Sequence, residues 1–142
     1  MAELAGSHTV YFDTNIWIYY IEGGPELVGR IADLIGEAAA NGARLATNEL
    51  AVAECLYQPS RDRNDRALAA YERLFGCGEI DILPLDGGLA RRAAAIGGEL
   101  RLKLLDAIHY LSALEAGCDL FVTSDVRFRT GPNMDVLRLK VR

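Results

Sequence analysis

Short apolar segments alternate with longer amphipathic ones along the chain, and this pattern predicts its strands and helices. The short segments are rich in β-branched and aromatic residues, which is typical of buried strands. Strands are therefore predicted at about residues 9–13, 43–48, 79–85, 118–124 and 134–140, the last with the alternation of an edge strand.

Capping residues and helix breakers set the limits of the first helices. A short helix follows the first strand and ends before the segment EGGPE. Pro25 suits the first turn of a second helix, which runs to about Ala40 and stops at an Asn-Gly pair. Asn48 can cap a third helix, ELAVAECLY, and Pro59 is predicted to end it.

The remaining segments complete an α/β order. RDRNDRALAAYERLFG predicts an amphipathic helix, Asp86 can cap a helix that runs to about Arg101, and the helix LLDAIHYLSALEAG closes at Gly117. Short strands separated by helices imply right-handed crossovers and a parallel sheet covered on both faces. The predicted fold class is α/β, a three-layer α/β/α sandwich with a central, mostly parallel five-stranded sheet. A single domain is predicted over residues 9–142, after a short N-terminal extension of residues 1–8.

The composition is that of an ordinary globular domain. Of the 142 residues, 51% are hydrophobic and 25% are charged, which allows one domain with a real core. The formal net charge of -5 argues against bulk attraction to nucleic acid. It does not exclude a nucleic-acid enzyme, because clustered catalytic carboxylates lower the net charge themselves. Residues 127–142 form a local basic edge, with five basic side chains against one acidic.

The sequence indicates neither a membrane protein nor a secreted one. No apolar run approaches the roughly 20 residues needed to cross a bilayer. The first eight residues lack the basic start and the apolar region of a secretion signal. The three cysteines are an odd number without metal-ligand spacing, which favours small buried side chains in a reducing compartment. We expect a cytoplasmic protein with no membrane partner.

Four acidic residues fall at the predicted strand ends and helix starts. Asp13 ends the first strand and Asp125 follows the fourth, and ligands of parallel sheets bind outside the carboxyl ends of the strands. Glu54 lies in the helix after the second strand, and Asp106 lies near the start of the helix that leads to the fourth. Each acid alone has a structural explanation, such as a helix cap, a first-turn acid or a turn residue. Their shared placement favours convergence at one rim of the sheet.

Convergence of these carboxylates would require cations or protons. Two carboxylates about 4 Å apart repel by roughly 4 kcal/mol at an effective dielectric of 20. A set of carboxylates without His or Cys suits Mg²⁺ or Mn²⁺. Such ions lower the pKa of bound water and neutralise charge that develops on a phosphate. The sequence therefore predicts a catalytic site with one or two of these ions at Asp13, Glu54, Asp106 and Asp125, with Asp13 and Asp106 favoured as direct ligands.

Three blocks that contain these acids resemble the PIN domain family and, within it, the toxin ribonucleases of VapC type. The blocks are VYFDTNIWIYY, TNELAVAECLY and LKLLDAIHYLSALEAGCDLFVTSDVRF, and the resemblance spans about residues 9–140. It implies that the four acids match the family's metal-binding positions. Leu105 departs from the family, since many relatives have Pro before the third acid, but this removes no ligand. The supporting polar residues that the resemblance implies are Thr14, Asn15, Thr123 and Ser124.

The resemblance also implies an activity and partners. Proteins of this type are similar to single-strand-specific endoribonucleases that need Mg²⁺ or Mn²⁺, are often held silent by a cognate antitoxin, and are commonly homodimers. In-line attack of water on an RNA phosphodiester would leave a 5′-phosphate and a 3′-hydroxyl. The expected partners are therefore an RNA substrate, an antitoxin protein and a second copy of the chain.

Further polar and aromatic residues carry weaker signals. His109 lies three positions after Asp106 on the same helix face, where a general base is conceivable but a packing or hydrogen-bonding role is favoured. Trp17, Tyr19 and Tyr20 could stack on bases, although core or subunit-interface packing is favoured. The basic residues that could contact RNA or a partner are Arg61, Arg63, Arg127 and Arg129.

Two alternative functions stay open at the level of the sequence. One is a phosphohydrolase with Asp13 as nucleophile, which the haloacid dehalogenase-like pattern disfavours because Asn15 stands where that pattern has a second Asp. The other is a non-catalytic binding module whose acids are structural. The binding module predicts that divalent ions leave the melting temperature unchanged, whereas the metal-dependent enzyme predicts stabilisation by Mg²⁺ or Mn²⁺.

Overall fold

The sheet is entirely parallel, as the alternation of strands and helices predicts. The computed structural model of the chain describes residue 4 and residues 6–141. The five strands lie in the order β3-β2-β1-β4-β5. They are β1 (Thr9–Phe12), β2 (Arg44–Asn48), β3 (Ile80–Leu83), β4 (Leu120–Thr123) and β5 (Asp135–Arg138).

Helices cover both faces of this sheet, so the predicted three-layer α/β/α sandwich is confirmed. Val10 and Phe12 of β1 pack into one apolar cluster with residues of α1 to α4, while Tyr11 points to the other face and packs with residues of α6. Residues of α5 and α6 form a further cluster. The helices of the described residues are α1 (Thr14–Glu22), α2 (Pro25–Ala40), α3 (Glu49–Asp62), α4 (Asp65–Phe75), α5 (Gly87–Leu100) and α6 (Leu104–Glu115).

The strand order reverses between β1 and β4. The chain builds β1, β2 and β3 in one direction, then crosses back and places β4 on the other side of β1. Ligands of open parallel sheets bind in the crevice outside the carboxyl ends of the strands at such a point. Here Phe12 lies in register with Val122, and the Asp13 amide donates to the Val122 carbonyl at 2.9 Å. The topology therefore brings the residues that follow β1 and β4 together.

The predicted caps are confirmed, but the predicted end of the third helix is wrong. Asn48 and Asp86 cap α3 and α5 through their side-chain oxygens. Helix α3 continues past Pro59 to Asp62, and Arg63 closes it with a positive φ of 52°. Pro59 has no amide to donate, so the helix loses one hydrogen bond there, and the proline is buried. The strands are also a few residues shorter than their apolar segments.

Burial decides several side chains that the sequence leaves open. Trp17 is fully buried in the core with Tyr19 and Tyr20 packed against the same cluster, which confirms core packing. Cys55 and Cys118 are buried as expected, but Cys77 is exposed because it lies in the turn after α4. Among the described residues, no helix is both long and apolar enough to cross a membrane.

The predicted N-terminal extension, residues 1–8, lies partly outside the described residues. Within it, the Leu4 side chain is fully buried in the core cluster and the Leu4 amide donates to a Glu37 carboxylate oxygen at 2.8 Å. His8 is exposed. The basic edge predicted for residues 127–142 includes Arg142, which also lies outside the described residues.

Candidate active site

The four acids predicted from the sequence line one cavity at the crevice between β1 and β4. Its volume is about 220 Å³. Each acid comes from a different segment: the end of β1, the middle of α3, the first turn of α6 and the loop after β4. The residues that line the cavity are Asp13, Thr14, Asn15, Ile18, Glu54, Asp106, His109 and Asp125.

Asp13 both caps a helix and faces this cavity. Its side chain is only 5% exposed. One carboxylate oxygen, Oδ1, accepts from the Thr14 amide at 2.9 Å, and the other, Oδ2, accepts from the Thr123 hydroxyl at 2.8 Å. Burial raises the pKa of Asp13 above its usual value, against the opposing effects of His109 and these hydrogen bonds. Desolvation at this position therefore favours a proton or a cation.

Glu54 is held by two groups from other elements. The Thr14 hydroxyl donates to Glu54 Oε1 at 2.6 Å, and His109 Nε2 lies 2.8 Å from the same oxygen. Burial raises the pKa of Glu54, but the hydrogen bonds from His109 and Thr14 together outweigh that effect and lower it. Glu54 is therefore ionised and fixed in orientation at the cavity wall.

His109 is a buried connector between this cavity and the core. The imidazole is 2% exposed, with Nδ1 2.7 Å from the Tyr11 hydroxyl and Nε2 3.0 Å from Thr14 Oγ1. Burial, and then the nearby Asp13, raise the pKa of Tyr11 well above its usual value, so its hydroxyl stays protonated and can donate to Nδ1. The Nε2–H group then points at Glu54. The favoured hydrogen-bonding role of His109 is confirmed.

Arg127 pairs with the other two acids. Its guanidinium contacts Asp125 through two nitrogens and lies 3.1 Å from Asp106 Oδ2. The hydrogen bonds to Arg127 lower the pKa of Asp125. Burial raises the pKa of Asp106, and the charges of Asp125 and Asp13 add to this against the opposing charge of Arg127. A positive group thus already lies where the two carboxylates approach each other.

The donor set fits a hard divalent cation, although the acids are not gathered around a single point. Among the described residues, no group of three or more acidic, histidine or cysteine side chains stands ready to hold a metal ion. Instead, Asp106 and Asp125 contact Arg127, and Glu54 contacts Thr14 and His109. The facing groups are nevertheless carboxylate oxygens, the ligands that Mg²⁺ and Mn²⁺ prefer.

The other predicted site residues divide between this cavity and other places. Thr123 supports Asp13, and its Oγ1 also accepts from the Asp125 amide at 3.0 Å. Ser124 is half-buried beside them, outside the set of residues that line the cavity. Arg129 lies at a neighbouring cavity together with Arg127. Arg61 and Arg63 are exposed at the end of α3, outside both linings as described.

Tyr11 is the site residue that the sequence did not point to. It reads as an ordinary strand residue, and its hydroxyl meets His109 across 98 positions of the chain. Its one sequence signal is position: it lies two residues before Asp13 on the strand that carries that acid.

A model of a known protein family matches most of the chain. The sequence model of the PIN domain matches residues 10–132. No curated protein gives a significant match.

Solved structures of toxin–antitoxin proteins share the fold. VapBC2 from Rickettsia felis, bound to a DNA fragment of its promoter, matches with a TM-score of 0.69 and 18% identity over 92% of this chain and 98% of that chain. A toxin–antitoxin complex from Klebsiella pneumoniae matches with a TM-score of 0.64 and 22% identity over 90% and 95%. Mycobacterium tuberculosis VapC20, a toxin that cleaves the sarcin-ricin loop, matches with a TM-score of 0.63 and 16% identity over 79% and 86%.

Proposed function

The chain belongs to the PIN domain family, and we propose that it is a divalent-metal-dependent endoribonuclease, the toxin of a toxin–antitoxin pair. It hydrolyses phosphodiester bonds of RNA and leaves 5′-phosphate and 3′-hydroxyl ends. The residues that carry the reaction are Asp13, Glu54, Asp106 and Asp125.

One observation carries this proposal: four carboxylates from four separate segments meet at one cavity. A helix cap explains Asp13 alone, and a first-turn position explains Asp106 alone. Neither explains why they line one cavity of about 220 Å³ with Glu54 and Asp125, since four carboxylates at one cavity repel each other unless protons or cations are present.

The four carboxylates would hold Mg²⁺ or Mn²⁺, one or two ions. Such an ion supplies a more acidic water and neutralises the charge that develops on the phosphate. The chain's own polar groups orient the carboxylates. Thr14 and Thr123 fix both oxygens of Asp13, through the Thr14 amide and the Thr123 hydroxyl, while the Thr14 hydroxyl and His109 fix Glu54. Arg127 lies beside Asp106 and Asp125, where a guanidinium can contact a substrate phosphate.

The assignment as a toxin rests on the structural relatives and on the surface of the rim. The three solved structures reported above are a toxin or toxin–antitoxin complexes. Three large apolar side chains next to Asp106 and Asp125 are exposed: Leu104 at 53%, Leu105 at 47% and Val126 at 70%. These are the side chains on which we expect a protein partner to pack. The proposed partners are an antitoxin and a second copy of the chain in a homodimer. The proposed location is the cytoplasm.

The test is metal-dependent cleavage of a structured RNA pool with the cut sites mapped. We expect the parent protein to cleave with Mn²⁺ or Mg²⁺ and to stop in chelator. Asp13→Asn should lower the rate at least about a hundredfold, since outer-shell partners of metal sites alone account for 10–100-fold. Ligation of the products to an adapter that requires a 5′-phosphate checks the ends.

Asp33→Asn is the matched control, because Asp33 is an exposed acid on α2. It should cleave like the parent. Circular dichroism must show that Asp13→Asn remains folded. Cleavage by the parent that continues unchanged in chelator, or cleavage by Asp13→Asn at the parent's rate with Mn²⁺, would overturn the proposal and would point to a contaminating nuclease.

A further inference from the structure

A second, larger cavity lies beside the acidic one. Its volume is about 490 Å³, within the range of roughly 300–1,000 Å³ that is usual for small-ligand sites. Arg127 lines this cavity and also pairs with Asp106 and Asp125 of the acidic cavity. Arg127 therefore links the two cavities, since it lines the larger one and contacts two of the acids that line the other.

The floor of the larger cavity is apolar and firmly packed. Tyr110 and Phe128 are 9% and 2% exposed, and their ring centroids lie 6.1 Å apart at an interplanar angle of 23°. Phe128 also packs on Phe121 of β4 with centroids 4.7 Å apart. Leu100, Leu102 and Pro132 also line this cavity. A flat, largely apolar ring suits such a floor better than a charged or flexible group does.

The rim of the same cavity is positively charged. Arg101 and Arg129 are exposed side chains that line it together with Arg127, against a single acid, Glu99. Guanidinium groups hold phosphate oxygens with paired hydrogen bonds. Since Arg127 is already paired with two acids of the acidic cavity, Arg101 and Arg129 are the side chains that could contact a phosphate, and together with the apolar lining they are complementary to a ring that carries one.

The Tyr110 hydroxyl adds a polar group to this apolar floor. Burial raises the pKa of Tyr110, so the hydroxyl stays neutral and can donate or accept a hydrogen bond. The edge of a nucleobase carries both donors and acceptors. A phosphorylated sugar without a base would leave this hydroxyl and the apolar lining uncovered.

We propose that this cavity is a nucleotide subsite, which binds one nucleotide of single-stranded RNA next to the phosphodiester bond that lies at the acidic cavity. The base rests on the floor formed by Tyr110 and Phe128, and its phosphate contacts Arg101 and Arg129. This inference rests on the proposed ribonuclease function, since Arg127 joins the subsite to the acids of that function. The competing occupant is an acidic segment of a protein partner. Such a segment carries no nucleobase, so binding experiments can distinguish it from a nucleotide.

The first experiment measures binding of single nucleotides in the presence of chelator, so that cleavage plays no part. ¹⁵N-labelled protein is titrated with adenosine 5′-monophosphate, uridine 5′-monophosphate and ribose 5-phosphate, and the dissociation constants are read from amide shifts. We expect the nucleotides to shift Gly131 and the amides around Phe128. At least one nucleotide should bind roughly tenfold or more tightly than ribose 5-phosphate, because only the nucleotides cover the floor.

The second part of the experiment removes the positive rim. Arg101 has a φ of 56°, which glycine adopts freely, so Arg101→Gly removes the side chain without straining the backbone. Combined with Arg129→Gln, it should weaken nucleotide binding at least about tenfold. The control is Arg73→Gln, since Arg73 is an exposed arginine on α4, outside the lining. It should bind like the parent.

Three results would overturn the subsite. They are equal affinity for ribose 5-phosphate and the nucleotides, equal nucleotide affinity of the double variant and the parent, and stronger shifts of the same amides by a hexaglutamate peptide than by either nucleotide. The last would assign the cavity to a protein partner.

The two proposals fail in different ways. If the parent cleaves RNA but nucleotide binding does not depend on Arg101 and Arg129, the subsite is contradicted and the ribonuclease proposal stands. Nucleotide binding that depends on both arginines, in a protein that cleaves no RNA with Mn²⁺ or Mg²⁺, removes the ribonuclease and keeps a nucleotide site.

Discussion

His109 Nε2 lies 2.8 Å from Glu54 Oε1, and this contact fixes one of the four cavity carboxylates from a buried position in α6. The Tyr11 hydroxyl, 2.7 Å from Nδ1, sets which imidazole nitrogen carries the proton. Strand β1 therefore contributes to the site twice, through Asp13 at its end and through Tyr11, which acts on Glu54 by way of His109. We propose that His109 and Tyr11 are positioning residues, because they orient Glu54 and do not themselves act on the phosphodiester bond.

Replacement of His109 should lower the rate of RNA cleavage and weaken the binding of the metal ion. His109→Phe replaces the imidazole with an apolar ring and removes the donor to Glu54. We therefore expect RNA cleavage to fall about 10–100-fold, the usual effect of losing a group that orients a metal ligand. The Mn²⁺ concentration for half-maximal activity should rise as well. His109→Gln, which can still donate, should recover part of both losses.

Tyr11→Phe tests the same chain of contacts one step further away. It removes only the hydroxyl, and the loss of activity should be smaller than for His109→Phe because the imidazole stays in place. A His109→Phe protein with lower melting temperature but unchanged Mn²⁺ dependence would show that His109 serves packing alone.

The pH dependence of stability should reveal the cost of burying the charged Asp13 carboxylate. Burial raises its pKa in the folded protein above the unfolded value of about 3.9, so the folded state binds more protons between the two values. Stability from this group is therefore lost as pH rises through that window. In chelator, the stability of Asp13→Asn relative to the parent should increase as the pH rises from about 4 to about 7. Urea unfolding at several pH values measures this, and a free energy of unfolding of Asp13→Asn that falls relative to the parent's as the pH rises would contradict it.

Divalent ions should stabilise the folded chain. A ligand that binds only the folded state at 100 times its dissociation constant adds about 2.7 kcal/mol. For a chain of this size each kcal/mol shifts the melting temperature by roughly 2–4 °C. Thermal scans with Mn²⁺ should show this shift for the parent and for Asp33→Asn, but a reduced one for Asp106→Asn. No shift in any protein would favour a binding module with structural acids.

Arg127 should compete with a divalent cation for two of the acids. In chelator, Arg127→Gln should change the free energy of unfolding only slightly, because the guanidinium is 42% exposed and solvent screens the pair. With Mn²⁺ titrated in, the variant should reach its stabilised state at a lower concentration than the parent, since Asp106 and Asp125 are free. Arg129→Gln, the neighbouring arginine without this pair, is the control. An unchanged Mn²⁺ requirement in Arg127→Gln would show that the pair does not compete.

Local signals in the sequence were sufficient for the layer architecture and for the positions of the acids. Asp13 follows an apolar run and Asp125 follows another, and both runs are strands because their side chains fit a buried sheet. Asn48 and Asp86 carry the side-chain oxygens that helix starts need, so the caps were predictable as well. Pro59 shows the limit of such signals, because tertiary packing carried α3 one turn past a residue that usually ends a helix.

The sequence by itself determined the parallel α/β fold, the placement of four acids at strand ends and helix starts, and the family, because these depend on the period of the apolar residues and on neighbours in the chain. Only the tertiary structure decided the strand order that brings β1 beside β4, the contact of Glu54 with His109 across 55 positions, and the turn of Arg127 toward Asp106. Those depend on which side-chain atoms meet after the chain has folded. No local pattern encodes such meetings, since each partner has an ordinary role in its own segment.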